Sequence, residues 1–362
     1  MEDSSGSRRI VRQWLIGIVG SWACVWLLGP WLVNSILVRV HDPAMDVITL
    51  REGDLIRWRS EGWASTLVGP HGRPGWKPNQ ASSCIVIWGD SQVEGFCVND
   101  PDKISNQIVR IAQAKQRQLI DCIAMGRSST DATDWSRLTG PADALWKPFA
   151  HVWIITELAD LIALADRTDR TNDAGSRWQA ASPMPVLVAK ATHAEAAFQA
   201  ARNLVLDPIT GTRRSLRWTI GPVNDAIDSG SPSMSLRDET EVFQAVLEQL
   251  KQLDQRIDER LILVYAPSLP RIMGGIVEDH PDDAAWESFA SLIARTTIMA
   301  IDLRGTFKDR WASDEKLARG FHNGTPSFGH LNAFGNQLIA EAIVDQLAVI
   351  ASQDRSTSVG AP

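Results

Sequence analysis

The sequence lacks a concentrated basic stripe: its formal charge is -7, with both signs mixed along its length. Phosphate binding needs clustered positive charge, so nucleic acid is not an expected partner. The four cysteines, at positions 24, 84, 97 and 122, fall at no metal-ligand spacing, and Cys24 lies in an apolar run where a thiol packs as a small hydrophobe. They leave the redox compartment undecided. The sequence contains no glycine-rich phosphate loop, dinucleotide fingerprint or zinc motif, so neither a cofactor nor a metal is expected. Tyrosine is scarce as well, one residue against fifteen tryptophans.

One further absence is local. No charged residue occurs from Trp14 to Leu37, a stretch that holds Trp14, Trp22, Trp26 and Trp31. At a helical rise of about 1.5 Å per residue it is long enough to cross a hydrocarbon core of about 30 Å. Residues 14–38 therefore read as a transmembrane anchor, kinked at Pro30, with a cleaved signal peptide or a buried core helix as the competing readings. Arg8, Arg9 and Arg12 precede the run, so the positive-inside rule keeps residues 1–13 in the cytoplasm and sends the remainder to the periplasmic or extracellular side. The expected partner is thus a membrane, through one N-terminal helix.

Residues 39–80 mix short apolar runs with Gly and Pro and read as an extended lead-in. From residue 81 onward short apolar runs alternate with helical periodicity. Cys84–Trp88, Leu119–Ala124, Val152–Ile155, Leu261–Val264 and Ile298–Ile301 read as strands. Helical patterns cover Ile104–Ala114, Glu241–Ile257, Ala284–Ala294 and Asn332–Ala351. Strands buried on both faces and joined through helices imply a parallel sheet. The fold class is α/β, a flavodoxin-like three-layer α/β/α arrangement with a five-stranded parallel sheet, spanning 81–352. Residues 166–235 break the rhythm and read as an insertion around an alanine-rich helix, Val186–Leu204. Residues 353–362 read as a disordered tail.

Gly89-Asp90-Ser91 follows the first strand directly, and open α/β sheets place ligands at the carboxyl ends of their strands. Alone the tripeptide reads as a helix N-cap after a tight turn. A serine hydroxyl becomes a nucleophile only when a base takes its proton and nearby N–H groups receive the oxyanion. Ile85-Val-Ile-Trp-Gly-Asp-Ser-Gln-Val-Glu-Gly-Phe-Cys-Val98 resembles the first sequence block of the SGNH (GDSL-like) hydrolases, with Gly95 as the glycine four residues after the serine. Gly329-His-Leu-Asn-Ala-Phe-Gly-Asn-Gln-Leu-Ile-Ala-Glu-Ala342 is similar to the last block of that family, in which a histidine opens the terminal helix. Gly69-Pro-His-Gly-Arg-Pro-Gly75 is similar to a lead-in of anchored bacterial members.

The resemblance implies Ser91 as nucleophile, His330 as base, and the backbone of Ser91, Gly126 and Ser129 as oxyanion-hole candidates. It also marks two departures. Ala159 stands where the family has an asparagine donor, and Ser327 where it has the acid that orients the histidine. A Ser91–His330 dyad, its imidazole held by a backbone carbonyl or by Ser327, is what the motifs support. His322 is the rival base, while His151, His193 and His280 read as structural; Asp160 and Asp302 read as strand-end acids or helix caps. The implied function is a membrane-anchored serine esterase or O-acyltransferase acting through an acyl-serine on an envelope ester, with an ester or an acylated glycan as the substrate. The alternative is a non-catalytic SGNH scaffold serving as an accessory subunit of a membrane assembly.

Overall fold

A computed structural model describes residues 4–81, 83–115, 120–165, 193–194, 196–197, 236–257, 260–267, 282–324 and 329–358. The first element is helix α1, Ser4–Leu32. Its section Arg8–Leu32 is long and apolar enough to cross a membrane, and only 6% of its most apolar window is buried. Trp14, Trp22 and Trp31 stand exposed along it, so among the described residues no apolar core cluster is built on this helix. The expected span reached residue 38, but the helix ends at Leu32. There the side chain of Asn34 accepts the backbone N–H groups of Arg59 and Ser60, which draws the chain into the folded domain.

The stretch 39–80, expected as an extended lead-in, is folded. Strands β1 (Arg39–Asp42) and β2 (Val47–Leu50) form one antiparallel hairpin, and β3 (Leu55–Trp58) and β4 (Ala64–Leu67) form a second. Alternation in these strands spans only four residues each, too short a signal to separate from loop in the sequence. Leu50, Ile56, Val68 and Phe96 make a small apolar cluster that seats the hairpins.

The five-stranded parallel sheet expected from the apolar runs is present, composed of β5 (Ser83–Gly89), β6 (Ile120–Gly126), β7 (Ala150–Ile155), β8 (Arg260–Tyr265) and β9 (Met299–Asp302). The order is β6-β5-β7-β8-β9, which puts β5 between β6 and β7. Side chains alternate between the faces. Val86, Trp88, Trp153, Ile155, Leu263 and Tyr265 pack beneath α4 (Ala132–Trp146), α5 (Leu158–Ile162), α6 (Leu236–Arg256) and α7 (Asp283–Ile293). Ile85, Ile87, Val152, Ile154, Ile262 and Val264 pack beneath α3 (Ile104–Ala114), α8 (Arg304–Asp314) and α9 (Ala333–Ser358). Full burial of such side chains contributes roughly 1.5–3 kcal/mol each and fixes the register, since a one-residue slip would exchange the faces.

Helix α4 carries Gly140 and Pro141 in its interior, which hid it from the periodicity. Helix α9 runs to Ser358, into the tail expected to be disordered. The 166–235 insertion and its alanine-rich helix lie outside the described residues apart from positions 193, 194, 196 and 197, as do His280 and Ser327.

Candidate active site

Strand β5 ends at Gly89, and Asp90 caps the short helix α2, Ser91–Glu94, by accepting the Gln92 N–H at 2.8 Å. Ser91 is thereby held half-buried on the carboxyl edge of the sheet, at the first position of the helix. The helix can lie against β6 because Gly126 ends that strand. A Cβ there would come 2.1 Å from the Glu94 nitrogen, which no side chain tolerates.

His330 arrives from the other end of the chain. Residues 318–320 pair with 330–332: Gly320 N–H donates to the His330 carbonyl at 3.0 Å, and Asn332 N–H donates to Ala318. Asn332 then caps α9, its side-chain oxygen accepting the N–H groups of Phe334 and Gly335. Gln92 completes the link between the two motifs by accepting the Leu331 N–H at 2.8 Å. In this frame the His330 Nε2 lies 3.0 Å from the Ser91 hydroxyl oxygen, so the two motifs meet at hydrogen-bond distance.

The partner on the far side of the imidazole is Glu61, which the sequence reading did not name. The Glu61 Oε2 lies 2.6 Å from His330 Nδ1, and Oε1 accepts the His330 backbone N–H at 2.9 Å. A carboxylate facing Nδ1 requires the proton on that nitrogen, which leaves Nε2 with its lone pair toward Ser91. Glu61, and not a backbone carbonyl, therefore faces Nδ1; Ser327, the other partner the motifs suggested, lies outside the described residues. Burial would raise the Glu61 carboxyl, but the side-chain and backbone hydrogen bonds from His330 and its charge outweigh that and hold it below the usual carboxylate range.

Glu61 sits in the turn of the β3–β4 hairpin. The turn is fastened to the histidine loop by Asn323, which accepts the Gly62 N–H at 2.9 Å and donates to the Arg59 carbonyl at 3.2 Å. Gly329, at φ +85°, lets the histidine loop come close, since a Cβ there would stand 2.4 Å from the Glu61 Oε1. Arg319, buried, donates to the carbonyls of Gly329 and Ala266 at 2.9 Å each, and its burial lowers its guanidinium to about 10. The only hint of Glu61 in the sequence was a Glu-Gly pair between two apolar runs, a hairpin-turn signal with no chemical meaning by itself.

The oxyanion candidates lie at the ends of β5 and β6. Ser91 opens α2, where a helix leaves its first N–H groups without intrahelical acceptors. In the turn after Gly126, the Ser128 N–H is committed to Glu94 at 3.0 Å, whereas Ser129 is exposed with φ +66°. Ala159, in α5, has only a methyl group to present. Asp160 follows it, half-buried beside the end of β7. Burial, then the charges of Asp90, Glu157 and Asp131, raise its carboxyl to about 8.

Other candidates fall elsewhere. His151 is buried inside β7, bonded to Asp143 at 2.5 Å and to Trp88 Nε1 at 2.9 Å. His193 meets the Trp26 carbonyl. His322 occupies an exposed turn. Asp302 accepts from Arg304 and Trp286 and serves the end of β9. Ligand atoms of Glu61, Cys97 and His330 lie within 4.8 Å of one another, an N/O/S set of the kind zinc favours. Burial and the neighbouring Glu61 raise the Cys97 thiol, and Glu61 and His330 are already paired with each other at 2.6 Å.

No family model and no curated protein matches the sequence. Solved structures with a similar chain path include a catalytic mutant of an acetylxylan esterase from Geobacillus stearothermophilus, 13% identical with a TM-score of 0.37 over 74% of this chain and 95% of that one. An esterase from Pseudoalteromonas sp. is 11% identical, TM-score 0.38, over 75% and 100% of the two chains. A putative acylhydrolase from Bacteroides fragilis is 11% identical, TM-score 0.34, over 76% and 90%. Likeness at this level extends to no residue's role and to no substrate.

Proposed function

We propose that this chain is a serine esterase or O-acyltransferase that works through an acyl-serine at Ser91. The observation that carries this reading is the continuous line Ser91 Oγ, His330 Nε2, His330 Nδ1, Glu61 Oε2, with contacts of 3.0 and 2.6 Å at its two ends. Ser91 attacks the ester carbonyl while its proton passes to Nε2; the new C–O bond leaves an oxyanion facing the Ser91 N–H and the Gly126–Ser129 turn. The imidazolium, stabilised by the Glu61 carboxylate, returns the proton to the departing alkoxide. Water then completes hydrolysis, or an acceptor hydroxyl completes transfer. The accessory-scaffold alternative drew its force from two missing groups, the asparagine donor and the orienting acid; Glu61 beside His330 Nδ1 answers the second, while Ala159 leaves the first unfilled. The exposed apolar helix α1 supports a membrane anchor, and Arg8, Arg9 and Arg12 ahead of it support a cytoplasmic N-terminus with the catalytic domain across the membrane acting on an acylated envelope glycan.

A fluorophosphonate probe applied to the full chain in detergent should label the wild type, and Ser91→Ala should abolish labelling. Absence of wild-type labelling, or labelling that survives Ser91→Ala, would return the scaffold reading. A periplasmic reporter fused after Pro362 should be active in a bacterial host, and an inactive one would reverse the topology.

A further inference from the structure

The elements that carry Ser91, His330 and Glu61 meet at one short turn, residues 99–103. Asn99 Oδ1 accepts the Ser65 N–H and Asp100 Oδ2 accepts the Leu67 N–H, each at 3.0 Å, which fastens strand β4 of the Glu61 hairpin. The Asp102 carbonyl accepts the side chain of Asn336 at 2.9 Å, near the start of α9, the helix that follows His330. Lys103 reaches back to α2. Its Nζ donates to the Glu94 carbonyl at 3.3 Å and to the Gly95 carbonyl. Those residues close the helix that Ser91 opens, and their own N–H groups donate to the carbonyls of Asp90 and Ser91 at 3.1 and 3.0 Å.

Lys103 is only 1% exposed. Lysine is almost never buried so fully, because taking an ammonium out of water is costly unless other groups bond it. Its stem runs beside Gly75, where a Cβ would stand 2.7 Å from the Lys103 Cδ, and its ammonium lies 5.8 Å from the centre of the Phe96 ring. The acids that act on it are engaged with other donors: the Glu94 carboxylate accepts the Ser128 N–H and hydroxyl, and Asp100 Oδ2 accepts from Leu67. The ammonium's hydrogen bonds go to the helix carbonyls instead. Burial lowers it to about 8, while the charges of Asp100, Glu94 and Cys97 act to raise it.

We propose that Lys103 is a positioning residue: its ammonium holds the end of the Ser91 helix against the turn that also fastens the Glu61 hairpin and the His330 helix. The inference rests on the function proposed above. An ammonium makes charge-assisted hydrogen bonds, about twice as strong as those of a neutral amine, so the hold slackens once Lys103 loses its proton. In the full chain in detergent, with 4-nitrophenyl acetate as substrate, kcat should fall as pH rises through about 8. Stability should move the other way. The folded chain releases this proton near 8 and the unfolded chain keeps it to the ordinary 10.5, so stability, read by denaturant titration, should rise between those values. Lys103→Met keeps the length of the stem and donates nothing. It should lower kcat about 10- to 100-fold with KM within about twofold, and both slopes should vanish. If that variant does not fold, Asp100→Asn, which removes a charge that raises the ammonium, should move the alkaline fall in kcat to lower pH. A lysine that only fills space would give the stability slope with kcat flat through the same range, and that result overturns the proposal. So does a fall in kcat that Lys103→Met retains, or one that Asp100→Asn leaves in place. A wild type without ester turnover would remove the proposed function and this inference together, whereas an active wild type with any of those results removes the inference alone.

Discussion

The Ser91 elbow and the Glu61 hairpin serve one imidazole and are built in opposite ways. The elbow is local: a buried strand, a capped turn and one short helix place Ser91 within a dozen residues, and the pattern can be read along the chain. The hairpin lies outside the main sheet, and its carboxylate meets a histidine 269 positions away through a turn bonded to the histidine loop. A nucleophile needs a particular strand end, whereas an orienting carboxylate needs only to arrive beside Nδ1, so any nearby element can supply it.

Mutations sharpen that contrast. Removing the elbow's serine, or the histidine, should have the largest effect, about 10⁴-fold or more in kcat for Ser91→Ala and His330→Ala, with the double variant little worse because the two act as one unit. An additive double variant, measured by ester turnover, would separate them. Glu61→Gln comes next, on the order of 10² to 10⁴-fold, since the amide keeps the shape but not the charge that stabilises the imidazolium. Because His330 holds the Glu61 carboxyl below its ordinary value, the stabilisation from the ionised Glu61 carboxylate is fully present above the ordinary carboxylate range and is lost as pH falls through that lowered value. Glu61→Gln should remove this acid limb from the stability profile, and an unchanged limb would place it elsewhere.

Gly329→Ala tests the approach of the two regions without touching any reacting group. A φ of +85° and a Cβ 2.4 Å from the Glu61 oxygen should cost on the order of 1–3 kcal/mol in stability by denaturant titration, with a parallel loss of turnover. Asp160→Asn has a smaller effect, read on pH. A carboxyl raised to about 8 keeps its proton in the folded chain while the unfolded chain releases it near the ordinary value of about 3.9, so stability is full below that value and falls as pH rises toward 8. The asparagine variant should flatten this slope; a slope as steep as the wild type's would assign it to other groups. His322→Ala, in its exposed turn, should leave turnover within about twofold, consistent with a surface change away from the chemistry.

The α/β class, the five sheet strands and the pairing of Ser91 with His330 were legible because they rest on short-range rules: apolar runs bounded by turns, a capped strand-to-helix junction and a histidine opening a helix. Helix α4 escaped because Gly140 and Pro141 interrupt its period, and the hairpins of 39–80 escaped because four-residue strands carry too little alternation. Only the tertiary structure could decide the strand order that puts β5 between β6 and β7, and the arrival of Glu61 at His330. Local sequence encodes backbone geometry and burial, which depend on neighbours along the chain. A carboxylate's partner is set by which loops the packing of distant elements brings within about 3 Å, and no spacing in the sequence records that distance.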